Sequence, residues 1–307
     1  MPSKTRFSLN WLACHLGIRR ETLERLSIEA EGHYHPFQEP KSNGGFRVID
    51  NPDNALKTVQ SRIMVRLLRP LTFNEAAQGC LPGRSPAKNA SRHLGQPCLV
   101  GIDLKSFFPS VSHRHVYGIW RLLGYGPDVA RLLTRLTTCR GYLPQGAPTS
   151  PYLANLVLEP LDEQTGARAR ELGVTYTRFV DDIAFSGERA REMIAPVMRE
   201  IGRLGFRISR HKTEVAGAGS QHRVTGYTVN RRGQPSIPKS RRDKVRSAIH
   251  QLRLSSTGGQ DRTRIVASLR GRIAHIASTN AGSAVRLTGQ LDLVLREYTQ
   301  APQNPTD

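Results

Sequence analysis

The chain has 307 residues and carries 45 Lys and Arg against 25 Asp and Glu, a formal charge of +20 at pH 7. That length suits one large domain or two to three subdomains with a proper core, and so positive a field implies a polyanionic partner, nucleic acid above all. No apolar run is long enough to cross a membrane, no signal peptide is visible, and the cysteines at 14, 80, 98 and 139 form no Cys-x-x-Cys pair. These features exclude a membrane protein, a disulfide framework and a zinc site, and predict a soluble cytoplasmic protein.

Only eight of the basic residues are lysine, so the charge is mostly guanidinium, which grips phosphate in a bidentate fork. Residues 1–32 read as a small helical element, with Leu9, Leu12 and Leu16 on one face and Gly17 as a stop. Residues 33–52 read as a hairpin with Asn43-Gly44 as its turn and Phe46 to Ile49 as its second arm. Lys41 and Arg47 sit near it, and such a basic hairpin suits clamping a triphosphate. An amphipathic helix follows, with Leu56, Val59, Ile63 and Leu67 on one face and Pro70 closing it.

The stretch from Gly79 to His93 is loop, then helix, with Ser85 as N-cap and Pro86 first inside. Asn89 and His93, four apart, share a helix face. Cys98 to Ile102 is a buried-strand run ending in Asp103, a position suited to a site, although one acid there also suits a turn. Two helical segments follow, His113–Leu123 and Pro127–Thr138. Tyr142 to Pro151 is a Gly/Pro-rich loop presenting Gln145 and the bare backbone of Gly146, which can approach a flat base pair closely. It feeds a helix with Leu153, Leu156, Val157 and Leu161 on its buried side.

Residues 176–185 read Tyr-Thr-Arg-Phe-Val-Asp-Asp-Ile-Ala-Phe. Two apolar arms, 174–179 and 183–185, meet at Asp181-Asp182, a two-residue hairpin link. Two carboxylates at a tip repel and call for a hard divalent cation; taken alone, such a pair is an ordinary solvated turn. A helix from Glu188 to Leu204 stops at Gly205. Phe206 to Val215, with Lys212, returns as strand or turn, and Arg223 to Asn230 is a strand with Gly226 as a bulge. From residue 231 to the end there are 14 Lys or Arg against five Asp or Glu. Three helices are predicted there, Ser240–Leu254, Arg262–Ser278 and Ser283–Tyr298. Arg241, Arg242, Lys244 and Arg246 crowd the first, a pattern suited to nucleic acid. Residues 301–307 read as a flexible tail.

The order of these parts resembles the palm of a reverse transcriptase, and more narrowly the bacterial retron reverse transcriptases. Asp103-Leu-Lys-Ser-Phe-Phe-Pro-Ser, Gln145-Gly-Ala-Pro-Thr-Ser-Pro, Phe179-Val-Asp-Asp, and Gly205-Phe with Lys212-Thr resemble the family's ordered motifs. Asn89-Ala-Ser-Arg-His93 and Val224-Thr-Gly226 resemble two elements particular to retrons. The family box usually begins with tyrosine, where this chain has Phe179 and so lacks the hydroxyl.

The resemblance implies an α+β right-hand polymerase: fingers and palm over residues 33–230, built on an antiparallel sheet with helices, and a basic helical thumb over 231–300. It implies an RNA-directed DNA polymerase with two Mg²⁺ ions about 4 Å apart held by Asp103, Asp181 and Asp182, with Asp182 more peripheral. Lys212 becomes a general acid toward pyrophosphate. Arg47, Lys41, Phe108, Gln145 and Gly146 become the deoxynucleoside triphosphate site. Phe108 is the gate against a ribose 2′-hydroxyl, and Phe107 faces the core. Phe179 and Gly226 position the primer. Asn89, His93, Arg241, Arg242, Lys244 and Arg246 contact a cognate structured noncoding RNA that serves as primer and template. The implied product is a branched RNA–DNA, in a system with an effector protein and a role in antiphage defence, and no fused RNase H is expected. Two alternatives stand beside this: a group II intron-like or diversity-generating reverse transcriptase, and a catalytically silent RNA-binding scaffold.

Overall fold

The computed structural model describes residues 7–41, 44–209, 213–255 and 259–300. Asn43 of the expected hairpin turn, Lys212 and the tail at 301–307 lie outside the described residues. The backbone divides into two units, one of residues 1–85 and 97–218, the other of 86–96 and 219–307.

In the first unit, α1 (Leu9–Leu16) starts where Ser8 Oγ accepts the Trp11 amide at 3.1 Å, and it ends at Gly17, in the left-handed region at φ 60°. After α2 (Arg20–Glu29), β1 (Tyr34–Pro40) and β2 (Phe46–Pro52) pair as an antiparallel hairpin. Asp53 caps α3 (Asn54–Ile63), accepting the Leu56 amide at 3.0 Å, and a π-turn at Met64–Leu68 prolongs the helix. Leu56, Val59, Ile63 and Leu67 are all buried, as their spacing predicts.

The chain then gives α4 (Pro86–Ser91) to the second unit and returns as β3 (Leu99–Asp103). There follow α5 (Phe107–Ser110), α6 (His113–Leu122), α7 (Pro127–Thr137), α8 (Ser150–Val157) and α9 (Glu159–Glu171). Strands β4 (Thr175–Phe179) and β5 (Asp182–Ser186), helix α10 (Ile194–Arg203) and strand β6 (Glu214–Ala216) complete the unit. The four-stranded sheet has the order β4-β5-β3-β6, with every neighbouring pair antiparallel. Its two central strands bury Val100, Ile102, Ile183 and Phe185, each worth about 1.5–3 kcal/mol of burial. That core fixes the register of β3 against β5, because a one-residue slip would turn these side chains to the other face.

The second unit holds α4, a short hairpin of β7 (Arg223–Val224) and β8 (Tyr227–Thr228), and three helices. These are α11 (Lys239–Leu254), α12 (Gly259–Ala277) and α13 (Ala281–Gln300), close to the three predicted from the sequence. Val245, Ile249 and Leu252 pack with Leu269, Ile273, Ile276, Leu287, Leu291 and Val294, while the surrounding positions are strongly basic. Composition changes near Arg231, but this unit takes in the chain from 219 and the excursion at 86–96. Among the described residues no helix is long and apolar enough to cross a membrane.

Candidate active site

The register of the central strands brings the acids together. Asp103, last in β3, is the cross-strand partner of Asp182, first in β5. Directly opposed residues of an antiparallel pair have Cα atoms about 4.5–5.5 Å apart and project to the same face. The Leu104 amide donates to the Asp181 carbonyl at 3.1 Å, which fixes the third acid beside the pair. On the other edge of β3, the Ser209 amide donates to the Asp103 carbonyl at 2.8 Å. Asp103 is buried, Asp181 half-buried and Asp182 exposed. This all-oxygen donor set is what a hard divalent cation takes. Among the described residues no three metal-capable side chains converge on a single point, so the fit rests on the strand register.

The hairpin turn is one residue earlier than the sequence suggests. Phe179 pairs with Asp182, so Val180-Asp181 is the link and Asp182 belongs to β5. Val180 sits at φ 59°, a left-handed conformation costing a β-branched residue about 1–3 kcal/mol. Two contacts hold it there. A Cβ on Gly79 would lie 2.6 Å from the Val180 amide nitrogen, so only glycine lets that segment press so close. From the other side, Arg178 Nη1 donates to the Val180 carbonyl at 2.8 Å.

Arg178 anchors a buried network that sequence reasoning missed. Its side chain and that of Asp162 are fully buried and paired, Nε to Oδ1 at 2.9 Å and Nη2 to Oδ2 at 2.5 Å. Nη1 also donates to Asn155 Oδ1 at 2.9 Å, and Asn155 Nδ2 donates to the Gly79 carbonyl at 3.0 Å. Tyr176 donates its hydroxyl to Asp162 Oδ1 at 2.5 Å; burial, then the Asp162 charge, pushes that phenol well above its usual range. The backbone of residues 76–78 runs along β4, with Arg178 N donating to the Ala76 carbonyl and Gln78 N to the Arg178 carbonyl. A signal was present in the sequence. An arginine within an apolar strand needs a buried acid, and Asp162 is the acid α9 turns inward.

Cys80, at φ 58°, completes the rim. Burial raises its thiol pKa and the Asp181 charge adds to that rise. Phe107 is buried edge-on against Phe206 at 5.3 Å, while Phe108 stays half-buried. Gln145 and Gly146 are seated on β2. The Asp50 amide donates to the Gln145 carbonyl at 2.8 Å, and a Cβ on Gly146 would meet Ile49 Cγ2 at 2.9 Å and the Asp50 carbonyl at 3.0 Å. The loop and the strand bearing Arg47 are thus one assembly, fastened further by a pair between Arg140 and buried Asp50. Arg47 lies 3.5 Å from Glu39 across the hairpin, an exposed and therefore weak pair, and Lys41 is exposed.

The remaining expected residues fall in the second unit. Thr225 and Gly226 have φ 47° and 82° and link β7 to β8, so Gly226 is the second residue of a type I′ turn and not a bulge. Thr225 Oγ1 donates to the Pro86 carbonyl at 2.8 Å, and the Gly95 amide to the Val229 carbonyl at 2.9 Å. These bonds fasten the 86–95 segment to the 224–229 hairpin. Asn89 and His93 do not reach solvent, at 1% and 0% exposure. Asn89 lies on α4 and His93 in the turn just after it. Burial, with the Arg92 charge, lowers the His93 pKa to about 4, so the ring is neutral near pH 7. The Arg241 guanidinium lies 3.4 Å from where a Gly226 Cβ would be; Lys244 and Arg246 are exposed and Arg242 half-buried.

Residues 39–229 match the family model described as reverse transcriptase (RNA-dependent DNA polymerase). Over 304 residues the chain is 36% identical to the retron Mx65 reverse transcriptase of Myxococcus xanthus, covering 90% of this chain and 69% of that protein. It is 32% identical to the Mx162 retron reverse transcriptase of the same organism, covering 96% of this chain and 66% of the relative. The retron Ec86 reverse transcriptase of Escherichia coli is 28% identical, with 94% and 89% covered.

Proposed function

This chain belongs to the reverse transcriptase family, is a retron-type RNA-directed DNA polymerase, and from that premise we propose that it copies a cognate structured noncoding RNA that is both primer and template. The product in this reading is a branched RNA–DNA made from deoxynucleoside triphosphates in the cytoplasm, within a system that includes an effector protein and acts against bacteriophage. The observation that carries the catalytic part is the pairing of Asp103 with Asp182 beside the Asp181 carbonyl.

Asp103, Asp181 and Asp182 would hold two Mg²⁺ ions, which when bound stabilise the attacking and leaving oxygens of an in-line displacement. The chain's own residues do the positioning. Arg47, with Lys41, meets the triphosphate and balances charge growing on pyrophosphate. The Gln145-Gly146 loop, held to β2 by the Asp50 amide, lets bare backbone approach the nucleotide. Phe108 excludes a 2′-hydroxyl by volume, and Phe179 packs at the primer end without the hydroxyl of the usual tyrosine. Lys212 donates the proton that pyrophosphate takes. Gly226, on its turn, and the basic face of α11 with Arg241, Arg242, Lys244 and Arg246 hold the RNA by shape and phosphate.

The test is extension on a structured RNA in Mg²⁺, followed by ribonuclease digestion of the product. This reading expects DNA that retains a short RNA remnant joined through an internal 2′-oxygen. A product with a linear 5′ end would point to a different priming mode. Equal activity in wild type and the Asp181→Asn/Asp182→Asn variant would leave only an RNA-binding scaffold.

A further inference from the structure

Helices α11 and α13 enclose a cavity of ≈170 Å³ whose walls are unusually cationic. Lys239, Arg242 and Arg246 recur at spacings of three and four on α11 and so share one face; Ser283 and Arg286 face them from α13. Among the described residues one acid, Asp243, also lines the cavity and is engaged by Arg246 at 2.8 Å. That leaves Lys239, Arg242 and Arg286 in excess. The floor is buried Leu287.

The two central guanidiniums are held in an unfavourable arrangement. Arg242 Nη1 and Arg286 Nη2 both donate to the one Ser283 hydroxyl, at 3.3 and 3.4 Å. Two like charges therefore stand within about 7 Å of each other, inside one Debye length of roughly 8 Å at physiological salt. Ser283 is buried, and with both lone pairs occupied its proton is available to a third group. Arg242 Nε is buried and has no hydrogen-bond partner among the described residues. Unspent donors, a spare hydroxyl proton and uncompensated positive charge on one small cavity have one complement, a compact oxyanion. The volume is below the roughly 300–1,000 Å³ of sites that take a whole nucleotide or similar ligand.

We infer that this cavity is a receptor for a single phosphodiester of the bound nucleic acid, with Arg242, Arg286 and Ser283 as its donors. The inference rests on the reading of this unit as an RNA-binding element and adds Lys239, Ser283 and Arg286 to it as a defined phosphate seat. A seat of this kind fixes the register of the nucleic acid on the helices and carries no sequence information.

The test is binding of the full chain to two hairpin RNAs with different stem sequences, measured from 50 to 300 mM salt. Arg242→Gln and Arg286→Gln are each expected to make the slope of log K against log salt shallower by about one, equally for both RNAs. Without RNA, Arg286→Gln should melt no lower than wild type, because it removes one of two opposed charges. Ser283→Ala should weaken binding while keeping the slope, since it removes no charge. An unchanged slope in both arginine variants overturns the proposal, and so does an unchanged slope with a lowered melting temperature, which marks a structural role. Sodium phosphate that raises the wild-type melting temperature over matched chloride, with slopes unchanged, assigns the seat to free phosphate and overturns the backbone source. Failure of wild type to bind either hairpin removes the RNA-binding reading itself, and so is distinguishable from failure of the seat alone.

Discussion

Arginine does opposite work in the two units. Arg178 is fully buried, and its partners Asp162, Asn155 and the Val180 carbonyl occupy four of its five N–H groups. Arg242 is only half-buried, yet among the described residues its Nε has no partner and its terminal nitrogen competes with Arg286 for one hydroxyl. A satisfied buried cation is a rivet, here fixing the turn that carries Asp181. An unsatisfied one is a receptor awaiting an anion. Burial alone does not separate the two; hydrogen-bond saturation does.

The largest expected effect breaks the rivet. Arg178→Met leaves Asp162 buried without its counter-charge and should cost about 3–5 kcal/mol, read as a lowered urea midpoint. Arg178→Met combined with Asp162→Leu should recover a large part of that loss, because no unpaired charge remains. Arg286→Gln, by contrast, should leave the midpoint where it is. If the two arginine variants destabilise equally, the distinction between rivet and receptor is lost.

The next effect concerns the turn itself. Gly79→Ala puts a methyl 2.6 Å from the Val180 amide, so the Asp-bearing hairpin has to move. The expected cost is about 1–3 kcal/mol of strain, with a fall in kcat for nucleotide addition at an unchanged RNA affinity. A wild-type kcat would mean that the position of Val180 does not govern the acids.

A third effect belongs to the second unit and depends on pH. His93 titrates at about 4 in the folded chain, while the unfolded chain takes up that proton near 6.5. The unfolded state therefore binds more protons between these values, and stability falls as pH drops from about 6.5 toward 4. The full swing is on the order of 3 kcal/mol. His93→Gln should narrow the gap between urea midpoints at pH 7 and pH 4.5; an unchanged gap would contradict the buried, neutral ring. The smallest effect is on nucleotide choice. Phe108→Ala should raise ribonucleotide incorporation relative to deoxyribonucleotide, with little change in melting temperature.

Much of the first unit is legible from the chain. Apolar runs mark β3, β4 and β5, and Gly17 marks the end of α1. The three C-terminal helices follow from their periodicity. What escapes is set by long-range pairing. The Arg178–Asp162 couple spans 16 residues and joins a strand to a helix of mostly polar sequence, so neither half declares its partner. Local turn rules put the hairpin tip at Asp181-Asp182. Gly79 and Arg178 override them by holding Val180 in a conformation that rules of propensity assign to glycine. The resemblance makes Asn89 and His93 RNA contacts, whereas both side chains are buried within the chain. Gly226 looks like a bulge in one long strand until Thr225, also at positive φ, makes the pair a turn.

The central claim is that residues 78 positions apart in sequence, Asp103 and Asp181, serve one metal-dependent step. Single-turnover nucleotide addition across a Mg²⁺ titration tests it with Asp103→Asn, Asp181→Asn and the double variant. The account predicts that each single change slows addition by about three orders of magnitude, about 4 kcal/mol of barrier, that the double change is no worse, and that hairpin-RNA affinity holds within about twofold. Losses that multiply in the double variant, or a single variant that adds nucleotides at the wild-type rate, would contradict it.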